Sequence, residues 1–395
     1  MQKEKGLKDY INLIRWSCII DSFNSHYFIR IIVIYLLSQN VTPWVAVSIP
    51  IVLEFARLLS RGFKPIVKLA LKVDYKKYHI FHLIAFLVLG LIISQCRNVY
   101  TIYLFTLISG TLSGIKYSSV TKLNTQNKEY EPYCFIEEER SQVIGGTLGL
   151  LTSQFIYDLN PKIYLIGYLV LIVIGIILST LLRKIPEEDV MEAIDENKDL
   201  DKKSKNNTIL VTTLFGILAG LWCMGWGAFE ELAPLISNKI GYLNAIYTIL
   251  EMILLSIISG SLINKIRNKK KLLFAETIIA CIDVLCLLVA ALTLSWKGLV
   301  IAYILTACTS TMGDPLWGSI MSEYSTNDRA KWVLVNRVYF VIRAVFTLIT
   351  WYICRECVIR GVESFKFLAV FLVALIIIVY LIANRVNKKV FGRSI

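Results

Sequence analysis

Charge is scarce in this 395-residue chain: only 18% of its residues are Asp, Glu, Lys or Arg, against roughly 25% in an average soluble domain. With 56% hydrophobic residues and a mean hydropathy of +0.62, the chain lacks the polar surface that a water-soluble fold requires. No G-x-x-x-x-G-K-[ST] phosphate loop is present, so ATP does not drive the chain directly. Histidine is limited to three residues; His79 and His82 share a helical face but have no Cys or carboxylate at ligand spacing, so neither a metal site nor any cofactor is expected and interfacial solvation is the simpler reading. The nine cysteines are mostly isolated inside apolar runs and imply no disulfide framework. Cys354 and Cys357 form one C-x-x-C pair, for which a disulfide and two free thiols both stand open. No nucleophile, base and metal set clusters at one interface, which argues against an enzyme. The N-terminus lacks a compact apolar core followed by a small-residue cleavage site and reads as a retained cytoplasmic end.

Long apolar runs are abundant. A bilayer core of about 30 Å takes roughly 20 helical residues, and lipid admits only helices or closed barrels. Spans are expected at 11–37, 43–60, 79–96, 99–120, 142–158, 161–182, 209–234, 241–263, 272–295, 298–321, 331–354 and 364–385. The expected fold is therefore an all-α integral membrane protein of twelve transmembrane helices.

A formal net charge of +13 would ordinarily suggest nucleic acid, but the cations lie in short loops between apolar runs rather than on one basic face. Sorted by loop with the N-terminus inside, 29 Lys and Arg fall in inner segments, seven in outer loops and six within spans. Both termini are thus expected in the cytoplasm of a multi-pass plasma-membrane protein. The inner loops can also meet anionic lipid, while nucleic acid is not an expected partner.

Residues 183–208 are densely charged with both signs and read as a solvated cytoplasmic linker between a six-helix bundle at 1–182 and another at 209–395. The halves echo one another. Asp74, after the second span, corresponds to Asn264, after the eighth, 190 residues later; Glu139-Arg140 corresponds to Asp328-Arg329, 189 residues later. A shared offset argues for a duplicated six-span unit with a site between bundles near mid-membrane.

Twelve spans, a charged central linker and the loop Gly260-x-Leu262-x-Asn264-Lys265-x-x-Asn268-Lys269-Lys270 resemble the major facilitator superfamily, whose signature there is G-x-L-a-D-R-x-G-R-K-x. Gly313-Asp314-Pro315, Ser322-Glu323-Tyr324 and Asp328-Arg329-Ala330 resemble small bacterial members labelled drug or efflux transporters. The first-half loop departs from the pattern: Ala70 stands where Gly260 would correspond, and an extra stretch, SRGFKPIVKLALK, precedes Asp74. The resemblance makes Asp74, Arg140, Gly260, Asn264, Lys265 and Arg329 gating-loop candidates. Gly145-Gly146-x-x-Gly149 is similar to a glycine-rich stretch of family antiporters without its proline, and equally suits close helix packing.

Ionisable residues inside lipid cost about 2.5–3.5 kcal/mol each on the translocon scale, so those placed mid-span should face a cavity or a partner. The resemblance implies that spans one, four, seven and ten line the cavity, and all four carry polar or aromatic groups. The substrate-cavity candidates are Asn24, Arg30, Lys116, Tyr117, Trp222, Trp226, Glu230 and Trp317. Asp21, Asp314 and Glu251 are the proton-coupling candidates, in that order. For Asp21, a titrating group and a static ion pair with Lys116 or an arginine are both open. Asp21 and Arg30, about half a helical turn out of phase, each need a different neighbour. Glu54 and Arg57 form a local pair or a gating contact; Arg337 and Arg343 can serve Asp314 or Glu251, and Asp283 is a further mid-span acid.

The function expected is secondary transport by alternating access, coupled to protons, with export of a small amphipathic or cationic compound by a monomer; the export direction comes from the resemblance alone. Import of a small nutrient, lipid or peptide export, and a receptor or scaffold without transport are the alternatives.

Overall fold

Helices in this chain begin where the sequence supplies a capping side chain or a proline. The Asn160 side chain accepts the backbone N–H of Lys162 at 2.9 Å with Pro161 next in line. Asp74 accepts that of Lys76, and Asn98 that of Tyr100, each also at 2.9 Å. Thr42 is followed by Pro43, whose fixed φ suits the first helical position. Asn40, at φ 59°, turns the chain between the first two helices in the left-handed region that Asn tolerates.

The structure is a computed structural model and describes residues 2–72, 74–95, 98–125, 131–182, 202–265, 277–278, 281–282, 285, 295–307, 329–361 and 364–391. The helices are α1 (Gln2–Ser38), α2 (Pro43–Gly62), α3 (Lys64–Lys72), α4 (Tyr75–Gln95), α5 (Val99–Thr125), α6 (Glu131–Leu159), α7 (Pro161–Leu181), α8 (Lys202–Leu232), α9 (Ile240–Lys265), α10 (Trp296–Ala307), α11 (Arg329–Arg360) and α12 (Phe365–Phe391), with a 3-10 turn at Ala233–Leu235. The described residues contain helix and no strand. Five segments, Ile11–Ser38, Pro43–Gly62, Tyr75–Gln95, Pro161–Leu181 and Leu334–Arg360, are long and apolar enough to cross a membrane. The ninth expected span falls largely outside the described residues, as does the second half of the tenth.

Three elements differ from expectation. The stretch before Asp74 is a helix, α3, rather than an irregular insertion: Ala70 is fully buried with Tyr78 and Ile115, and the Ser119 hydroxyl on α5 donates to the Ala70 carbonyl at 3.0 Å. A small residue is needed at 70 for that packing, and alanine supplies it without breaking the helix. The fifth apolar run belongs to a helix that starts at Glu131, its polar extension tied to α1 by Arg15 Nε and Glu137 Oε1 at 2.5 Å. The last residues of the expected linker, from Lys202, lie in α8.

The chain divides into two compact units, one of residues 1–195 with 239–248 and one of 196–238 with 249–395. In the first, α1 runs along α6. A Cβ at Gly145 or Gly149 would collide with the carbonyl oxygens of Ile19 and Phe23, so the glycines permit backbone contact between these helices. Ser22 reinforces it by donating to the Gln142 carbonyl at 2.6 Å. The 239–248 segment is held by Lys239 to Asp158 at 2.7 Å, by the Gly241 N–H to the Gln154 side chain at 2.9 Å and by Thr248 to Thr147 at 2.8 Å. In the second unit α8 packs on α11, Gly216 and Gly220 lying against Ile342 and Phe346.

Polarity in the first unit is arranged for a surrounding of lipid. Ile166, Val170, Ile174, Ile177 and Leu181 form an exposed apolar strip along α7, while Asp21, His79, His82 and Lys116 are buried. Water would favour the reverse distribution.

Candidate functional site

Tight packing of α1 on α6 fixes the face that α1 turns toward α4 and α5. From that face Asp21 meets two bases. Its Oδ2 accepts from Lys116 Nζ on α5 at 2.7 Å, and its Oδ1 lies 2.6 Å from His82 Nε2 on α4. All three residues are at most 2% exposed. A carboxylate held so deeply is stable only because a cation and a ring nitrogen share it, and a proton arriving there changes what each partner is bound to.

One side of this cluster is closed by aromatics. Phe86, one turn on from His82, meets the imidazole edge-on at 4.8 Å; Phe28, Tyr168, Tyr164 and Tyr27 continue the layer, with Tyr27 and Tyr164 stacked at 5.3 Å. Their hydroxyls are spent on backbone carbonyls: Tyr164 on Tyr27 and Phe28 at 3.0 Å, Tyr168 on Phe86 at 3.3 Å. On the other side His79 is fully buried, its Nε2 3.0 Å from the Ser179 hydroxyl on α7, and Tyr75 donates to Ser17 at 2.7 Å.

The histidines thus correct the expectation of interfacial solvation. The helix begins at Tyr75, so His82 sits two turns inside it, and residues 75, 79, 82 and 86 form the face turned into the bundle. The signal available in the sequence was that spacing, together with an acid on α1 in need of a second partner. Among the described residues no group of three or more His, Cys, Asp or Glu is placed to hold a metal ion.

Tyr117 lies beside the cluster and gathers cations: Lys116 Nζ is 4.4 Å, Arg57 5.2 Å and Arg61 5.6 Å from its ring centre. Glu54 and Arg57 form an ion pair three residues apart on α2. Asn24 is buried but faces α7, where it meets Gly175 and lines an apolar groove with Trp16, Phe23 and Leu178; its amide donates to the Ile20 carbonyl at 2.7 Å. Arg30 lies further along α1, half-buried. Asp74 caps α4, and Arg140 is exposed on α6.

In the second unit Glu230 on α8 and Glu251 on α9 are half-buried, and Arg343 on α11 donates to Cys223 at 2.7 Å and to Tyr339 at 3.4 Å. Arg337 is exposed, and Cys354 and Cys357 are buried free thiols. Trp222 and Trp226 lie within α8, Gly260, Asn264 and Lys265 in the last turns of α9, and Arg329 opens α11; their side chains are outside the described residues, as are Asp283, Asp314 and Trp317 altogether.

No protein-family model matches the sequence, and no curated protein matches it. Solved structures do. The POT family transporter PepTSo superposes with a TM-score of 0.70 at 14% identity, over 96% of this chain and 98% of that one. A structure from a study of substrate recognition in proton dependent oligopeptide transporters superposes with a TM-score of 0.70 at 11% identity, over 97% and 100%. A POT family transporter in complex with a thioalcohol-conjugated peptide does so with 0.70 at 12%, over 96% of each. At these identities the likeness establishes the fold, and the fold is that of POT transporters, a branch of the major facilitator architecture.

Proposed function

We propose that the protein is a proton-coupled secondary transporter of the plasma membrane, with twelve spans, both termini cytoplasmic and six-helix bundles at 1–182 and 209–395 joined by the charged linker. It works by alternating access as a monomer, and its substrate is a short peptide taken up with protons. The observation that carries this reading is Asp21 held between Lys116 and His82 in the interior of a fold shared with proton-dependent peptide transporters. Protonation of Asp21 frees Lys116 to bind another anion, such as a peptide carboxylate, so proton and substrate occupancy are linked through one cation.

Tyr117 and the arginines over its ring supply the aromatic and cationic lining that suits a zwitterionic substrate. Glu230, Glu251 and Asp314 are the acids that the second half offers for its amino group or for further protons. Export of an amphipathic cation is the second reading, favoured by the Gly313-Asp314-Pro315 and Asp328-Arg329-Ala330 motifs. Proteoliposomes separate the two. Uptake of radiolabelled Ala-Ala driven by an inward proton gradient supports peptide symport; gradient-driven movement of a lipophilic cation with no Ala-Ala flux supports export; binding without flux of either supports a receptor.

A further inference from the structure

The two buried histidines of α4 are arranged in series, and peptide symport through Asp21 uses only the first of them. His82 turns its Nε2 to Asp21 at 2.6 Å, and His79 turns its Nε2 to Ser179 at 3.0 Å. The remaining ring nitrogen of each, Nδ1, is buried and has no hydrogen-bond partner among the described residues. Residues three apart on a helix are neighbours, with about 5–6 Å between Cβ atoms. The two open nitrogens therefore belong to adjacent rings whose other nitrogens are engaged at opposite ends of the pair. Buried polar atoms without partners are rare and disfavoured. Two in adjacent rings, in line between a carboxylate and a hydroxyl, call for a role.

We propose that His82 and His79 form a proton path from Asp21 to Ser179, releasing protons at the end of the first unit where α4 begins and α7 ends. The path rests on the proton-coupled reading above, in whose topology that end is cytoplasmic. Ser179 lies two residues before the end of α7, and Lys76 at the start of α4 binds the carbonyl of Thr180 there at 2.7 Å. In the opposite direction the Phe86, Phe28 and Tyr168 layer closes the stripe. The groups facing the histidines are Ser17, Cys18 and Asp21 from α1, Lys116 and Tyr117 from α5, Tyr168 and Ser179 from α7, and Tyr75 on α4 itself, whose ring stacks on His79 at 6.0 Å.

Each transfer balances. Protonated Asp21 gives its hydroxyl proton to the Nε2 lone pair of His82 and becomes the carboxylate that Lys116 pairs with. His82 passes its Nδ1 proton to the Nδ1 lone pair of His79. His79 gives its Nε2 proton to the Ser179 oxygen as that hydroxyl's own proton leaves to water. Both rings end neutral in the other tautomer and reset by rotation; one proton has moved and no electrons have.

The test uses full-length protein in proteoliposomes with radiolabelled Ala-Ala, comparing wild type with His79→Phe, which keeps a ring against Tyr75, and Ser179→Ala. Counterflow needs no net proton release, whereas gradient-driven accumulation does. Both variants are expected to keep counterflow within about twofold of wild type and to lose accumulation by about tenfold or more. Accumulation retained by both variants overturns the path, and equal loss of both activities in both variants marks a structural role and overturns it too. A wild type without counterflow or accumulation of Ala-Ala contradicts peptide symport itself, and the path with it.

Discussion

Asp21 and Lys116 stand 95 positions apart in the chain and meet at 2.7 Å, where neither is more than 2% exposed. Removing one partner of such a pair leaves the other charged and desolvated. Lys116→Met is expected to destabilise the protein by about 3–5 kcal/mol, because His82 alone cannot satisfy both Asp21 oxygens. Asp21→Asn with Lys116→Met should recover part of that loss, as a double-mutant cycle of thermal unfolding in detergent would measure.

The other ion pair singled out by the fold is of a different kind. Lys239 and Asp158 also meet at 2.7 Å, but their side chains are 46% and 23% exposed. Lys239→Ala should cost less than about 1 kcal/mol by the same unfolding measurement.

Contact between α1 and α6 depends on absent side chains. Gly149→Val is expected to push α1 off α6 against the Phe23 carbonyl, costing about 1–3 kcal/mol and lowering the yield of folded protein. Gly146→Ala, whose added methyl would touch only side-chain atoms of Ser22 and His26 at 3.2–3.3 Å, should be milder, as size-exclusion profiles and melting temperatures will register.

The apolar strip on α7 predicts how the first unit meets lipid. Val170, near the middle of that helix, is 55% exposed, so Val170→Arg should oppose insertion by about 2.5–3.5 kcal/mol and deplete the protein from the membrane fraction. Lys162→Gln at the same helix's end should leave membrane yield unchanged.

Much of this architecture is legible in the residues themselves. Asn160-Pro161 and Thr42-Pro43 mark helix starts because caps and prolines act locally, and Asp21 and Lys116 stand out because charge inside an apolar run demands an explanation. The role of His82 was not legible in that way. Its position relative to Asp21 depends on where α4 begins and how α1 sits against α6, which no local pattern reports. The same applies to α3, whose nine residues form a helix because Ala70 packs on Ile115. Asn24 illustrates the converse: three residues from Asp21, it faces α7 instead of the charge cluster, a rotation that helix phase permits but does not identify.

The central claim is that proton movement passes through Asp21. The most direct measurement is the internal pH of proteoliposomes, read by an entrapped dye, when Ala-Ala is added outside wild type and Asp21→Asn protein. The account predicts lumenal acidification by wild type and none by the variant; equal acidification by both would contradict it.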